Sequence, residues 1–184
     1  MGFIKTPIKG MNDFLPSDMR LREHVINMIK ETYATYGFSL IETPVMEHLG
    51  NLTGKQGGEN EKLIFPVMKR GADLQRAIEN GGELADSALR YDLTVPLSRY
   101  YANNQAVLTT PFKSLQIGNV FRADRPQKGR FRQFTQCDID ILGDSSILAE
   151  IELIAATTSM LTKIFEEVGI SRFTVHVNDR RILK

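Results

Sequence analysis

Cysteine, histidine and excess charge are all scarce in this chain of 184 residues. Its single cysteine, Cys137, excludes an internal disulfide and a multi-thiolate metal site within one chain. The histidines His24, His48 and His176 are scattered, without the spacing of a transition-metal site. A formal net charge of +1 gives no global attraction to nucleic acid or membranes. Any such partner must therefore be bound by a local basic patch.

Long hydrophobic runs are missing as well. The first seven residues lack the basic segment and apolar run of a signal peptide, and no stretch is long enough to span a bilayer. We therefore expect a cytoplasmic location. Residues of the apolar class make up 42% of the chain and charged residues 24%, which is typical of one globular domain with a substantial core.

Apolar periodicity predicts a mixture of helices and strands. Helices are predicted over 17–36, where Gly37 can cap the end, from Pro96 to Tyr101, and from the polar residues 144–146 to Gly169. Strands are predicted over 38–45, 89–95, 112–122, 130–142 and 173–177. Pro44 should lie at a strand edge, end or interface. Residues 49–60 read as a lid, a binding loop or a plain surface connection.

The segment from Phe121 to Leu142 has the most informative pattern, because a turn-rich loop at 126–129 should fold it back on the preceding strand. In an extended 130–142, one side is mainly apolar and includes Cys137, which should be buried. The other side is polar and changes from basic to acidic along the strand. Its residues are Arg130, Arg132, Phe134, Gln136, Asp138 and Asp140.

This polar face suits a ligand that carries opposite charges at its two ends. Arg122 and Arg130 should meet at one end of the hairpin, where they could bind phosphates beside a base stacked on Phe134. Gln136, Asp140 and Asp92 could accept hydrogen bonds from an ammonium group at the other end, as in an α-amino acid. Spacing alone favours a simpler interpretation, a solvated strand face with cross-strand ion pairs.

Three segments carry a resemblance to a known family: Lys9–Asp13, Leu89–Pro96 and Phe121–Gly143. Together they resemble histidyl-tRNA synthetase, a class II aminoacyl-tRNA synthetase, and the likeness runs through nearly the whole chain. The resemblance implies an α+β fold, with a mostly antiparallel sheet flanked by helices. It also implies that the stretch ending at Pro44 builds a homodimer interface.

The resemblance further implies roles for individual residues. Arg122 and Arg130 would be catalytic, and the histidine substrate would be bound chiefly through its α-amino group. The ATP-binding residues would be Arg122, Asp124, Arg130 and Phe134. The histidine-binding residues would be Asp92, Thr94, Gln136 and Asp140. The tRNA(His) acceptor end would meet Arg125, Gln127 and Lys128. Mg²⁺ would bridge phosphate oxygens, with no metal ligand from the protein.

Several parts of such enzymes are missing from residues 1–184: the glycine-rich motif 3, a histidine-specific segment of the Arg-Gly-Leu-Asp-Tyr-Tyr kind, and an anticodon-binding domain. We therefore expect residues 1–184 to be the N-terminal portion of a truncated catalytic domain, inactive alone. Two alternatives remain open. One is a non-catalytic, histidine-sensing subunit like that of ATP phosphoribosyltransferase, and the other is a structural domain with solvated polar faces.

Overall fold

The computed structural model describes residues 2–53 and 60–178, which form two small sheets and five α-helices. The helices are α1 (Pro16–Thr35), α2 (Leu49–Leu52), α3 (Gly71–Glu79), α4 (Thr94–Asn104) and α5 (Ile147–Glu167), with a 3₁₀ turn at Asn60–Leu63. The strands are β1 (Ser39–Ile41), β2 (Met46–His48), β3 (Phe65–Met68), β4 (Ala85–Leu89), β5 (Phe112–Phe121) and β6 (Gln133–Leu142).

The predicted long hairpin is confirmed and forms the centre of the larger sheet. Strands β5 and β6 pair antiparallel from Phe112 opposite Leu142 to Phe121 opposite Gln133, and β1 adds in parallel to β5, giving the order β1-β5-β6. Opposite residues of an antiparallel pair point to the same face. The even-numbered side chains of both strands therefore share one face of the sheet.

The odd-numbered face of this sheet packs against the two long helices, which confirms the predicted apolar side of β6. Ile139 and Ile141 lie against a core built from Tyr33 and Phe38 at the α1 end, Leu115 on β5 and Ala156 on α5. The predictions of a helix over 17–36 and of a helix ending at Gly169 are confirmed by α1 and α5. This packing fixes which face of the hairpin remains for a ligand.

The prediction that Cys137 is buried is wrong, because this residue is exposed. Strand β6 lies at the edge of the described sheet, so its apolar side is covered only in part. Burial around the sulfur, together with the charge of Asp138, nevertheless raises the pKa of the Cys137 thiol to about 11. The thiol therefore stays protonated and weakly reactive at neutral pH.

The predicted strand over 89–95 is wrong, since β4 ends at Leu89 and α4 begins at Thr94. Asp92 is the cause: its Oδ1 accepts the backbone N–H of Thr94 at 3.0 Å and of Val95 at 3.5 Å, which caps the helix. Pro96 then falls in the first helical turn, where a missing N–H costs nothing. The helix consequently starts earlier than the proline suggested.

Two other predicted strands also differ. The run 38–45 forms a strand, β1, only over 39–41, and Pro44 lies outside the strands, in the connection between β1 and β2. The alternating residues 173–177 form no strand, because no described segment pairs with them; Phe173 instead packs edge-on against Phe165 of α5. The loop predicted over 49–60 is wrong at its start, where Leu49–Leu52 form α2, and residues 54–59 of that loop lie outside the described residues.

Strands β2, β4 and β3 form the second, antiparallel sheet, whose core contains Leu52, Ile64, Ala88 and Tyr91. The chain leaves this sheet through residues 90–93 and enters α4, which places those residues over the even face of β5. Gln116 of β5 donates a hydrogen bond to the Leu93 carbonyl at 3.1 Å. No helix within residues 2–53 and 60–178 is long and apolar enough to cross a membrane.

Candidate functional site

The even-numbered face of the hairpin is half covered and half open. On β5 its side chains are buried, and Ser114, Gln116 and Val120 are almost inaccessible. On β6 the side chains of Phe134, Gln136, Asp138 and Asp140 are only partly buried. We call this β6 face, with its flanking residues Asp92, Arg122, Asp124 and Arg130, the cleft.

A cavity of about 250 Å³ lies at the basic end of the cleft. Its lining consists of Arg122, Asp124, Gly129, Arg130, Phe131 and Phe134. All four residues predicted to bind ATP are therefore brought together, although Phe134 lies on β6 and the other three lie on the connection between β5 and β6. Arg122 and Arg130 are separated in the sequence, but the hairpin brings both of them to the lining of one cavity.

Arg122 is fixed in this cavity by two neighbours. Its Nε donates to the carbonyl of Tyr91 at 3.0 Å, and its guanidinium carbon lies 5.0 Å from the centre of the Phe134 ring. Such a cation–π contact holds the guanidinium over the ring while its remaining N–H groups stay available for an anion. Arg122 is thus preorganised.

Arg130 is held by a carboxylate. Its Nη2 lies 2.9 Å and its Nε 3.1 Å from Oδ2 of Asp124, and the Arg130 side chain is about half exposed. A guanidinium paired so near the surface exchanges partners readily, because screening by water keeps exposed ion pairs weak. Arg130 can therefore leave Asp124 for a phosphate.

The acidic end of the cleft contains Asp138 and Asp140, with Asp92 close enough for its charge to act on both. Burial raises the pKa of Asp140, and the charges of Asp138 and Asp92 raise it further. Burial likewise raises the pKa of Asp138; a hydrogen bond from Gln136 and the charge of Arg122 oppose this shift without cancelling it. Each shift shows that negative charge is costly here, so a cation is favoured.

The predicted histidine-binding residues gather at this end. Gln136 and Asp140 project from β6, while Asp92 and Thr94 lie at the start of α4. Asp92 uses Oδ1 as a helix cap, which leaves its second carboxylate oxygen for a ligand. Asp138, which the sequence placed on this face without a role, is the additional member: its Oδ2 accepts the amide N–H of Gln136 at 2.8 Å.

Arg90 is a buried residue that sequence reasoning missed, with 4% of its surface exposed. Its guanidinium donates to the carbonyl of Thr43 at 2.7 Å and to that of Asn119 at 2.9 Å. Burial lowers the pKa of Arg90, while the charge of Glu42 opposes this. Gly118 lies directly under the guanidinium, where a Cβ would collide with it. Alternation had put Arg90 on a solvated face, so no sequence signal marked it.

Arg90 also connects the cleft to the chain around Pro44. Its backbone N–H donates to Val45 at 3.0 Å, and its carbonyl accepts the N–H of Phe121 at 2.9 Å. The next residue, Tyr91, supplies the carbonyl that holds Arg122. One buried side chain and its flanking backbone thus position both Asp92 and Arg122.

The loop of the hairpin is tight and exposed. Gln127 and Arg130 exchange backbone hydrogen bonds of 3.1 and 2.9 Å, with Lys128 and Gly129 between them. Gly129 has a φ of 77°, which favours glycine. The predicted acceptor-end residues Arg125, Gln127 and Lys128 are all exposed. They therefore form an exposed basic tip next to the cavity, which Gly129 and Arg130 line.

An N-terminal segment braces this loop. The carbonyl of Gly10 accepts the N–H of Arg132 at 2.7 Å, and a Cβ on Gly10 would collide with the Pro126 ring. The φ of Gly10 is 88°, a second reason for glycine. Residue 10 belongs to one of the segments that carry the family resemblance, and this contact gives that segment a structural role.

The region around Pro44 combines a buried ion pair with an exposed apolar edge. Glu47 is buried and lies 2.5 Å from Nε of Arg99 on α4. Burial alone would raise the pKa of Glu47, but hydrogen bonds from Arg99, His48 and Asn51 lower it below its ordinary value. Along the stretch of chain that contains Pro44, the apolar side chains Leu40, Val45 and Met46 are exposed.

The carboxylates of the cleft do not form a metal site of their own. Within the described parts of the chain, no group of three or more histidine, cysteine, aspartate or glutamate side chains is arranged to hold a metal ion.

Comparison with known proteins gives concordant results. The sequence profile described as histidyl-tRNA synthetase matches residues 10–184. A histidine--tRNA ligase of Leifsonia xyli subsp. xyli is 52% identical over 183 residues, which cover 97% of this chain and 42% of that protein. A probable histidine--tRNA ligase of Tropheryma whipplei is 48% identical, over 96% of this chain and 41% of that protein.

Solved structures agree with the sequence matches. The histidyl-tRNA synthetase of Nostoc sp. PCC 7120 superposes with a TM-score of 0.70 at 34% identity, covering 87% of this chain and 34% of that one. A Bacillus halodurans protein described as an ATP phosphoribosyltransferase regulatory subunit/histidyl-tRNA synthetase has a TM-score of 0.69, but its 23% identity shows the shared fold alone.

The α+β fold expected from the resemblance is thereby confirmed, with helices on a largely antiparallel sheet. The chain spans about 40% of the length of the curated relatives that it matches. On the profile match across residues 10–184, the chain belongs to the histidyl-tRNA synthetase family of class II aminoacyl-tRNA synthetases.

Proposed function

We propose that residues 1–184 form the N-terminal portion of the catalytic domain of a histidine–tRNA ligase. The observation that carries this proposal is the division of one strand face into a basic cavity and an acidic end. Arg122, Arg130 and Phe134 line the cavity, and Asp138 and Asp140 follow along β6. An aminoacyl-adenylate needs both halves, because it joins a nucleotide phosphate to an α-amino acid.

ATP would occupy the basic end. Arg122, fixed by Tyr91, would contact the α-phosphate, and Arg130 would exchange Asp124 for the β- and γ-phosphates. The base would stack on Phe134, with Asp124 near its amino group. Aromatic stacking and charge-assisted hydrogen bonds would together bind the nucleotide.

Histidine would occupy the acidic end through its α-ammonium group. The raised pKa values of Asp138 and Asp140 show negative charge that an ammonium would stabilise. Thr94 and Gln136 would supply neutral oxygen acceptors, and Asp92 and Asp140 charged ones. The substrate carboxylate would then point along β6 toward the phosphates.

The reaction would proceed in two steps. A carboxylate oxygen of histidine attacks the α-phosphorus of ATP, and the bond to the β-phosphate breaks, so that histidyl-adenylate forms and pyrophosphate leaves. A terminal ribose hydroxyl of tRNA(His) then attacks the carbonyl carbon and loses its proton, the bond from that carbon to the phosphate oxygen breaks, and AMP leaves. The arginines contribute positioning and charge neutralisation, the dominant factors in phosphoryl transfer. Mg²⁺, bound through phosphate oxygens, would neutralise further charge on ATP.

Two surfaces would serve the rest of the cycle. Arg125, Gln127 and Lys128 at the exposed hairpin tip would meet the acceptor end of the tRNA, mainly through its phosphates. The apolar edge beside Pro44 would form part of a homodimer interface, because exposed apolar clusters favour association. Both assignments extend the site beyond the cleft, and we place the protein in the cytoplasm.

The 184-residue chain alone should not catalyse either step at a useful rate. It supplies one side of the cleft, and the relatives that it matches are more than twice as long. A histidine-sensing regulatory subunit is the alternative role for this fold. The convergence of Arg122, Arg130 and Phe134 on one cavity favours the ligase, since a histidine sensor needs no phosphate site.

Amino-acid-dependent pyrophosphate exchange tests this proposal. In the complete protein that contains this chain, we expect exchange with histidine and none above background with the other amino acids. Histidine binding without exchange would instead establish the regulatory role. The 184-residue chain assayed in parallel should be inactive, and robust turnover by it would overturn the claim that it needs the remaining parts.

A further inference from the structure

Gln136 carries a buried oxygen that its surroundings do not satisfy. Its Oε1 has no hydrogen-bond partner among the described residues, whereas its Nε2 donates to Oδ2 of Asp138 at 2.8 Å. Buried polar atoms nearly always have partners, so an unpaired acceptor in a cleft requires an explanation. A ligand that brings an N–H donor would provide one.

The neighbour of Gln136 decides which atom of its amide is left unpaired. Residues 136 and 138 are two apart on β6, so their side chains lie on the same face. An ionised carboxylate accepts hydrogen bonds but cannot donate them, whereas an amide has one end of each kind. The reversed amide would set Oε1 against a carboxylate oxygen. Asp138 therefore selects the orientation that leaves Oε1 unpaired.

The surrounding charges are consistent with this arrangement. Asp92 acts on Asp138 with a like charge and Arg122 with an opposite one, and Asp140 lies two residues further along the same face. Three carboxylates so close together already supply negative charge for a cation. What they do not supply is a neutral acceptor in a fixed direction, which the amide oxygen of Gln136 does.

We propose that Asp138 is a positioning residue of the amino-acid site: by binding Nε2 of Gln136, it presents Oε1 of Gln136 to the α-ammonium group of the substrate. This inference rests on the proposed function and adds a residue to which the family resemblance gave no role. Asp138 thus acts through Gln136 rather than by direct contact.

A direct electrostatic role for Asp138 makes a different prediction. If its charge attracted the ammonium by itself, its loss would weaken histidine binding whether or not Gln136 were present. If it acts through Gln136, its loss has little effect once that amide is gone. A double-mutant cycle separates the two cases.

The experiment measures histidine and ATP dependence of pyrophosphate exchange in the complete protein for Asp138→Asn, Gln136→Ala and the double variant. The amide introduced by Asp138→Asn can turn either of its ends toward Gln136, so the orientation preference is lost. We expect the histidine KM to rise roughly tenfold in each single variant and to rise no further in the double variant, with the ATP KM unchanged. Asp86→Asn, on an exposed residue of β4, is the matched control.

A second variant tests whether histidine binding is retained when residue 138 keeps a side chain that only accepts hydrogen bonds. Asp138→Glu retains an acceptor-only side chain and should keep the histidine KM within about threefold of the wild-type value. Equal effects of Asp138→Asn with and without Gln136, or no effect on the histidine KM, would overturn the proposal. A wild-type protein without histidine-dependent exchange would instead refute the proposed function.

The geometry can be tested independently of activity. In protein labelled with ¹⁵N at glutamine, the side-chain amide signal of Gln136 is identified by its absence from Gln136→Ala. We expect this signal to shift markedly in Asp138→Asn and to stay near its position in Asp138→Glu. An unchanged signal in Asp138→Asn would show that the amide is not held by Asp138.

Discussion

At the basic end of the cleft Arg130 is paired with Asp124, whereas at the acidic end Asp138 and Asp140 have no ion pair among the described residues. The charge of Arg130 is therefore neutralised before any ligand binds, whereas Arg122 at the same end is held by a carbonyl and an aromatic ring. At the acidic end, burial raises the pKa of both Asp138 and Asp140, and repulsion from neighbouring carboxylates raises both pKa values further. Nucleotide binding must displace an internal partner, while ammonium binding relieves an existing strain.

The largest effect is expected from the basic end. Arg122→Ala removes the preorganised guanidinium that would contact the phosphate undergoing substitution, so exchange should fall by roughly 10²- to 10³-fold in kcat/KM. Pyrophosphate exchange in the complete protein measures this. Arg76→Ala, at an exposed position of α3, is the control. A loss of only a few-fold would show that the cavity is not the phosphate site.

A substitution of Arg90 tests whether this residue positions both the basic and the acidic end of the cleft. Arg90→Met removes the donors from the buried carbonyl of Thr43 and from the partly buried carbonyl of Asn119, and we expect the free energy of unfolding to fall by about 3 kcal/mol. Urea denaturation measures this change. Because Arg90 positions both Asp92 and Arg122, the KM values for histidine and for ATP should rise together. A rise in only one of them would show that the two ends are supported separately.

Asp140→Asn should separate stability from binding. Burial and its neighbours raise the pKa of Asp140, so the folded protein binds that proton more tightly than the unfolded chain. The stability due to this group is therefore present at low pH and declines as pH rises from the ordinary carboxyl pKa through the raised one. At neutral pH, Asp140→Asn should melt at a higher temperature than wild type and bind histidine about tenfold more weakly.

Thermal melts from pH 4 to 7 and calorimetric titration with histidine measure the two effects. Arg130→Ala is the matched variant at the basic end, where the internal pair with Asp124 predicts no gain in stability. A lower melting temperature for Asp140→Asn at neutral pH would contradict the account of the acidic end.

The smallest effect concerns the loop beyond the basic end. Replacing Arg125 and Lys128 together by alanine should raise the tRNA KM of aminoacylation by about three- to tenfold and make it less dependent on salt. Pyrophosphate exchange should stay unchanged, because neither Arg125 nor Lys128 lines the cavity. Parallel loss of exchange would place these residues in the nucleotide site instead.

The sequence predicted correctly those parts of the fold that depend on residues close together in the chain. The hairpin, its two faces and the long helices were predicted correctly, because strand alternation and helical periodicity are properties of neighbouring residues. The prediction of a strand over 89–95 was wrong because the side chain of Asp92 caps a helix there. The alternation of apolar and polar residues does not reveal such a cap. The strand expected over 173–177 lacked a described partner.

The residues of the cleft divide in the same way. Pattern and resemblance together predicted that Arg122, Arg130 and Phe134 would meet, and the hairpin register explains why they do. Alternation places Gln136 and Asp138 on one face of β6 but does not predict the bond between them. The pairing of Arg130 with Asp124 and the burial of Arg90 depend on contacts that join separate parts of the chain. Such contacts follow from three-dimensional packing and carry no periodic signal in one sequence.

The central claim, that one ligand spans both ends of the cleft, is tested most directly by an uncleavable histidyl-adenylate analogue with a sulfamoyl linkage. Its dissociation constant should be measured calorimetrically for the complete wild-type protein, Arg122→Ala, Asp140→Asn and the double variant. The account predicts that each single variant weakens binding at least tenfold and that the two losses multiply in the double variant. Unchanged affinity in either single variant would contradict it.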